Sequence, residues 1–167
     1  MKLYTIDTKY IEYLKRFQKH IYHNMENNRL RPYAGVVLNI GTHKYYAPLT
    51  SPKTKHHKMS DRLDFIRLEY KGQLIAVINL NNIIPVADEL ISLIDIDSLF
   101  DKKYQTLLNI EMIDIRRKQV TIMKNANSIY NKVTKFGSEP RNANLISICY
   151  DFLLLEKKLQ EFLNQKD

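Results

Sequence analysis

The spacing of apolar positions changes along the chain, and each change marks an element. After Asp7 or Thr8, either of which suits a helix cap, Ile11, Leu14, Phe17 and Ile21 recur at helical spacing with a basic face opposite. The runs "YAGVVLNI" and "HKYYAPL" then read as two strands around a turn at Gly41, and "DFIRLEY" and "QLIAVINL" as a second pair around Lys71-Gly72. Two hairpins imply an antiparallel sheet. "NIIPVADELISLIDI" reads as a further strand or two broken at Pro85, and its second half also admits a helix because short apolar runs are ambiguous.

From Lys102 the period becomes helical. Tyr104, Leu107, Leu108, Ile115, Ile122, Met123, Ile129 and Val133 form a core-facing stripe that ends at "KFGSEP", where Gly137 and Pro140 stop it. A last helix is expected from about Asn144, with Leu145, Ile148, Cys149, Phe152, Leu155, Leu159 and Phe162 inward. The expected class is α+β: a highly twisted antiparallel sheet or half-open barrel with packed helices, one domain over residues 1–167. Only "NNRLRP" and "SPKTKHHKMSDR" read as extended loops.

Composition narrows the setting. Cys149 is the only cysteine, in apolar surroundings, so a disulfide framework is excluded and a reducing compartment is expected. The N-terminus turns charged too early for a secretory segment, and no apolar run approaches the roughly 18 residues of a membrane span. The expectation is a soluble, cytoplasmic protein with no membrane partner. Lys and Arg number 26 against 18 Asp and Glu, a formal +8 with pI near 9.4, which favours a polyanionic partner. The cations fall in separate clusters, "KRFQKH", "NNRLRPY", "SPKTKHHK" and "RRKQ", and none coincides with a strong apolar stripe as in a membrane-surface helix. Nucleic acid is therefore the better partner, and eleven tyrosines near those cations suit single-stranded RNA.

No Gly-rich phosphate loop, HExxH, CxxC or paired-cysteine zinc spacing occurs, and the acids of "DELISLIDID" scatter rather than converge. Neither a metal nor a cofactor is expected. Cleavage without a metal is chemically sensible for RNA, whose 2′-hydroxyl lies beside its own phosphodiester. The stretch "YYAPLTSPKTKHHK" supplies what that chemistry needs: Thr50 and Ser51 hydroxyls at a strand end, Pro52 stiffening the turn and the Lys53 ammonium following. A solvated turn would show the same residues. A non-catalytic RNA-binding module, or a structural protein using its charge for solubility, also stays open.

Four segments in order, "MKLYTIDTKYIEYLK", "RPYAGVVLNI", "HKYYAPLTSPK" and "AVINLNNIIPV", resemble the ToxN/AbiQ family of type III toxin–antitoxin endoribonucleases. The resemblance covers about the first 95 residues, and the helical tail lacks sharp motifs. It implies a fold like that of the Kid/MazF toxins and metal-independent cleavage of adenine-rich RNA to 2′,3′-cyclic phosphate and 5′-hydroxyl ends. It also implies a small repeat RNA antitoxin, folded as a pseudoknot, in a closed protein–RNA assembly, with phage defence by abortive infection. Cellular or phage RNA would be the substrate.

By the same resemblance, the catalytic residues are expected at Ser51, Thr50, Lys53 and Arg31, with Arg31 standing where some relatives have lysine. Ser51 and Thr50 would orient the phosphate, Lys53 would stabilise the pentavalent charge, and Arg31 would clamp an adjacent phosphate. His56, Tyr33, Lys55, Lys58 and Tyr22 are the expected RNA contacts, with His56 touching RNA or shuttling a proton. Counting places Asn27 where some relatives carry an aromatic, for which Tyr22 or Tyr33 would substitute.

Overall fold

A computed structural model describes residues 1–26 and 28–165. Asp7 caps the first helix: its carboxylate accepts from the Tyr10 N–H at 2.9 Å, which satisfies one of the unpaired donors of the first turn. That helix, α1 (Thr8–Lys15), buries Tyr10, Ile11, Tyr13 and Leu14. It stops sooner than the apolar spacing predicts. The Arg16 N–H turns back to Tyr13 and Leu14 carbonyls, Phe17 lies half-exposed under the Lys158 ammonium, and Ile21 reaches the core from beyond the helix.

The chain before α1 forms a strand with no signal of its own, β1 (Lys2–Ile6). Five residues are too few to display a period, and pairing on both sides holds them. The other strands are β2 (Met25–Glu26), β3 (Arg29–Leu30), β4 (Tyr33–Ile40), β5 (His43–Thr50), β6 (Phe65–Tyr70), β7 (Gln73–Asn79), β8 (Ile84–Pro85) and β9 (Ile91–Leu93). They build a twisted antiparallel sheet in the order β6-β7-β5-β4-β1-β9, with β8 pairing along β5 and β2-β3 standing apart as a small hairpin. Both predicted hairpins are present, and Gly41 (φ +55°) and Gly72 (φ +75°) supply the left-handed turn conformation that a side chain disfavours. The ambiguous stretch after Pro85 resolves as a 3-10 turn (Asp88–Leu90) leading into strand β9, with no α-helix.

Helix α2 (Lys102–Thr134) starts on Asp101, whose carboxylate accepts from the Lys103 and Tyr104 N–H groups. Its inward face runs Leu108, Met112, Ile115, Ile122, Ala126 and Ile129. Leu107 and Met123, expected inward, lie on the flank and stay partly exposed. The tail is two helices rather than one, α3 (Ala143–Ile148) and α4 (Phe152–Asn164). The break follows from tertiary bonds: the Tyr150 N–H donates to the Asn81 carbonyl at 3.0 Å and its hydroxyl to the His20 carbonyl at 2.7 Å. Asp151 then caps α4, and Ile148, expected inward, is exposed.

The core lies between sheet and helices, built around Tyr10, Tyr33, Tyr45, Tyr46, Leu49, Ile66, Leu68, Ile115 and Phe152. Each large apolar side chain fully buried there stabilises the fold by about 1.5–3 kcal/mol. Among the described residues no helix is long and apolar enough to cross a membrane.

Candidate active site

Strand β5 delivers the site at its last residue. Leu49 and Thr50 still pair with Ile78 and Val77 of β7, but Pro52 has no N–H to give a ladder, so pairing stops. Thr50 is consequently buried and Ser51 exposed. At the neighbouring strand end, Asn79 Nδ2 donates to Thr50 Oγ1 and to the Tyr22 hydroxyl, each at 3.3 Å. Thr50 is the acceptor in that bond, so its own O–H can point into the hollow in front of it.

Beyond Pro52 the chain makes a single 3-10 turn over Thr54–Lys58. The Lys53 N–H donates to His56 Nδ1 at 3.1 Å, and the His56 N–H donates to the Lys53 carbonyl at 2.8 Å. The ring also meets Phe65 edge-on, 5.2 Å between centroids. Burial lowers the His56 pKa from its ordinary value, and the cationic neighbours Lys55, Lys53 and His57 push the same way. A neutral imidazole that accepts at Nδ1 carries its proton on Nε2. His56 is thereby fixed as a hydrogen-bond donor.

Two hollows meet at this point. One, about 220 Å³, is lined by Tyr22, Thr50, Lys53, Lys55, His56 and Asn79, together with Asp64, Asn81 and Asn82. The other, about 100 Å³, is lined by Thr50, Ser51, Arg29, Tyr104 and Glu111. Thr50 belongs to both and forms the saddle between them. Expected site residues thus divide: Thr50, Lys53, Lys55, His56 and Tyr22 share one hollow, and Ser51 faces the other.

Two expectations are corrected. Tyr33 is 2% exposed in the core, so it presents no face for an RNA base. Lys58, exposed, lines a separate hollow with His57, Asp61, Arg67 and Glu69. Arg31 is 6% exposed, and its guanidinium donates to the His23 carbonyl at 3.0 Å and the Leu49 carbonyl at 2.9 Å, with the Tyr22 ring 4.7 Å away. It braces the residue before Thr50 rather than lining either hollow, so a phosphate clamp does not describe it. Asn27 lies outside the described residues.

The family model for toxin ToxN of type III toxin–antitoxin systems matches residues 2–160. The chain belongs to the ToxN family. Endoribonuclease ToxN of Pectobacterium atrosepticum is 33% identical over 168 residues, which cover 97% of this chain and 94% of that protein. Endoribonuclease ToxN of Bacillus thuringiensis subsp. kurstaki is 29% identical over 164 residues, 96% of this chain and 84% of that protein. A solved type III toxin–antitoxin structure, described as selective toxin inhibition by a non-coding RNA pseudoknot, matches with a TM-score of 0.87 at 29% identity over 96% of each chain. The ToxN likeness therefore extends through the helical tail, where no motif is legible.

Several residues of this ToxN-family site escaped the sequence reading. Asn79 interrupts an apolar strand at its end, and "NLNN" is the signal that could have found it. Glu111 is 5% exposed on the inward side of α2, and an acid within an apolar helical stripe is the corresponding mark. Arg29 and Tyr104, stacked at 4.5 Å, come together only through the fold. Among the described residues no three His, Cys, Asp or Glu side chains gather so as to hold a metal ion.

Proposed function

We propose that this chain, an endoribonuclease toxin of the ToxN family, cuts RNA by turning a ribose 2′-hydroxyl on its own phosphodiester, with the phosphate seated at the saddle formed by Thr50 and Ser51. The 2′-oxygen bonds to phosphorus as the bond to the 5′-oxygen breaks, which leaves a 2′,3′-cyclic phosphate and a 5′-hydroxyl. The nucleophile belongs to the substrate, so the protein's part is to hold the attack in line and stabilise charge. Thr50 and Ser51 donate to the phosphate oxygens from either side of the saddle. The Lys53 ammonium offsets the charge of the pentavalent phosphorane. His56 donates from Nε2, Lys55 and Tyr22 contact the flanking strand, and Arg31 keeps Tyr22 and the end of β5 in place.

The observation that carries this reading is the hollow shared by Thr50, Lys53, His56 and Asn79, with Ser51 opening on its neighbour. We further read the substrate as adenine-rich RNA, including the precursor of a repeated small RNA antitoxin. The processed pseudoknot would occupy these hollows in a closed protein–RNA assembly, and release of the toxin would serve phage defence by abortive infection in the cytoplasm. The remainder of this reading is a single domain over residues 1–167, with the sheet as a half-open barrel of the Kid/MazF-toxin kind.

The test is to incubate the RNA-free protein and its Ser51→Ala variant with adenine-rich RNA in excess EDTA and to identify the product ends. Cyclic-phosphate and 5′-hydroxyl ends are expected from the wild type, with the variant slower by about a hundred- to a thousandfold, the range for loss of one charge-stabilising donor. Its melting temperature and RNA affinity should stay near wild type. Tight binding by the wild type with no cutting would make this a non-catalytic single-stranded RNA-binding module.

A further inference from the structure

The turn that carries Lys53 and His56 has a second face, and one side chain holds it there. Arg67 projects from β6, and its Nη1 donates to the His56 carbonyl at 2.9 Å and to the Met59 carbonyl at 2.5 Å. The rest of the guanidinium is fixed as well: Nε and Nη2 both donate to Glu69 Oε1, at 2.9 and 2.7 Å. A planar fork can span two carbonyls and a carboxylate in one orientation, which an ammonium cannot.

The base beneath is rigid. The Arg67 N–H donates to Asp61 Oδ1 at 2.8 Å, and Lys118 of α2 donates to the Arg67 carbonyl at 2.7 Å. Lys118 also pairs with Asp114 at 3.3 Å, and the buried Asp114 accepts from the Glu69 N–H at 2.8 Å. Strand β6, helix α2 and the turn are thereby tied together through Arg67. The chain of bonds continues into the hollow, because the His56 ring is the acceptor for the Lys53 N–H.

We propose that Arg67 is a positioning residue for the cleavage reaction: by gripping the His56 and Met59 carbonyls from behind, it sets where Lys53 and the His56 Nε2–H meet the scissile phosphate. Arg67 lines the hollow with His57 and Lys58 on the far side of the turn, and does not line the one containing Thr50. Its route to a phosphate in the Thr50 hollow is therefore through the turn. This inference rests on the site assigned under the proposed function.

The test compares Arg67→Gln, Arg67→Lys and Lys53→Ala with the wild type on one RNA that the wild type cleaves, following kcat, KM, the melting temperature and the His56 ring resonances by NMR. Because a misplacement of about 1 Å costs on the order of a hundredfold in rate, Arg67→Gln should lower kcat by about 30- to 100-fold with KM within about threefold. Its His56 pKa should rise towards the ordinary value as the ring loosens. Arg67→Lys keeps the charge beside Glu69 but reaches one carbonyl, and should recover part of the rate. If the Gln variant melts too early to assay, the Lys variant carries the test, with a fall of about tenfold expected at an unchanged melting temperature. A folded Arg67 variant with wild-type kcat and unmoved His56 resonances overturns the inference while a slow Lys53→Ala leaves the site reading standing. Wild-type cutting by Lys53→Ala overturns both.

Discussion

Strand β5 is buried along most of its length, yet its two ends treat polar groups in opposite ways. At the first end the Tyr45 and Tyr130 hydroxyls both donate to Glu156 Oε1, at 2.7 and 2.8 Å, with His43 Nδ1 at 3.8 Å from the same oxygen. The two tyrosine bonds tie β5 to α2 and α4. Burial and the adjacent carboxylate push the Tyr130 hydroxyl up to about 12, so it stays a donor at any working pH. At the last end Asn79 Nδ2 donates a hydrogen bond to Thr50 Oγ1, and Thr50, Lys53 and His56 line a hollow. The same strand thus uses its polar groups for cohesion at one end and, on the proposed function, for an RNA phosphate at the other.

The contrast breaks most visibly at Thr50. Thr50→Val keeps the shape and the strand preference but removes the hydroxyl from the saddle. Cleavage should fall by about a hundredfold, roughly 2.7 kcal/mol of transition-state stabilisation. Stability should fall by only about 1 kcal/mol, since the Asn79 amide loses one acceptor. Single-turnover cleavage beside a urea melt separates the two. Equal losses in both would mean that this end is structural like the other.

Tyr45→Phe makes the reciprocal test. It deletes one of the donors to the partly buried Glu156 carboxylate and should cost about 1–2 kcal/mol in a denaturant melt while leaving kcat unchanged. A fall in kcat larger than twofold at full folding would show that the two ends communicate along β5.

What the sequence disclosed follows the same division between local and distant causes. The hairpins were legible because alternating apolar runs flank Gly41 and Gly72, and α2 because Leu108, Ile115, Ile122 and Ile129 repeat over many turns. The break before α4 was not, since it depends on the Asn81 carbonyl far away in sequence. In the candidate site, Thr50, Ser51 and Lys53 sit together in one motif, so their adjacency was legible from sequence. Tyr33 misled because a tyrosine beside an arginine looks the same in sequence whether it faces the core or an RNA base. Arg31 and Arg67 were opaque for a related reason: an arginine's carbonyl acceptors are chosen by tertiary packing, and carbonyls carry no signature in sequence.

The smallest expected effect concerns His56, whose pKa is lowered in the folded protein. The unfolded chain then binds a proton more readily than the folded one, with an unfolded value near 6.5, roughly that of a free imidazole. Stability from this group is complete above about pH 6.5 and declines as pH falls towards the lower folded value. Other groups titrate in the same window, so the useful quantity is a difference. Between about pH 7.5 and pH 5.5 the wild type should lose more of its urea midpoint than His56→Gln, which has no proton to bind there. An identical loss in both proteins would mean that the ring is as solvated in its turn as in the unfolded chain. It would then not be the buried, neutral donor that sets this end of β5 apart from the end where Tyr45 and Tyr130 bond Glu156.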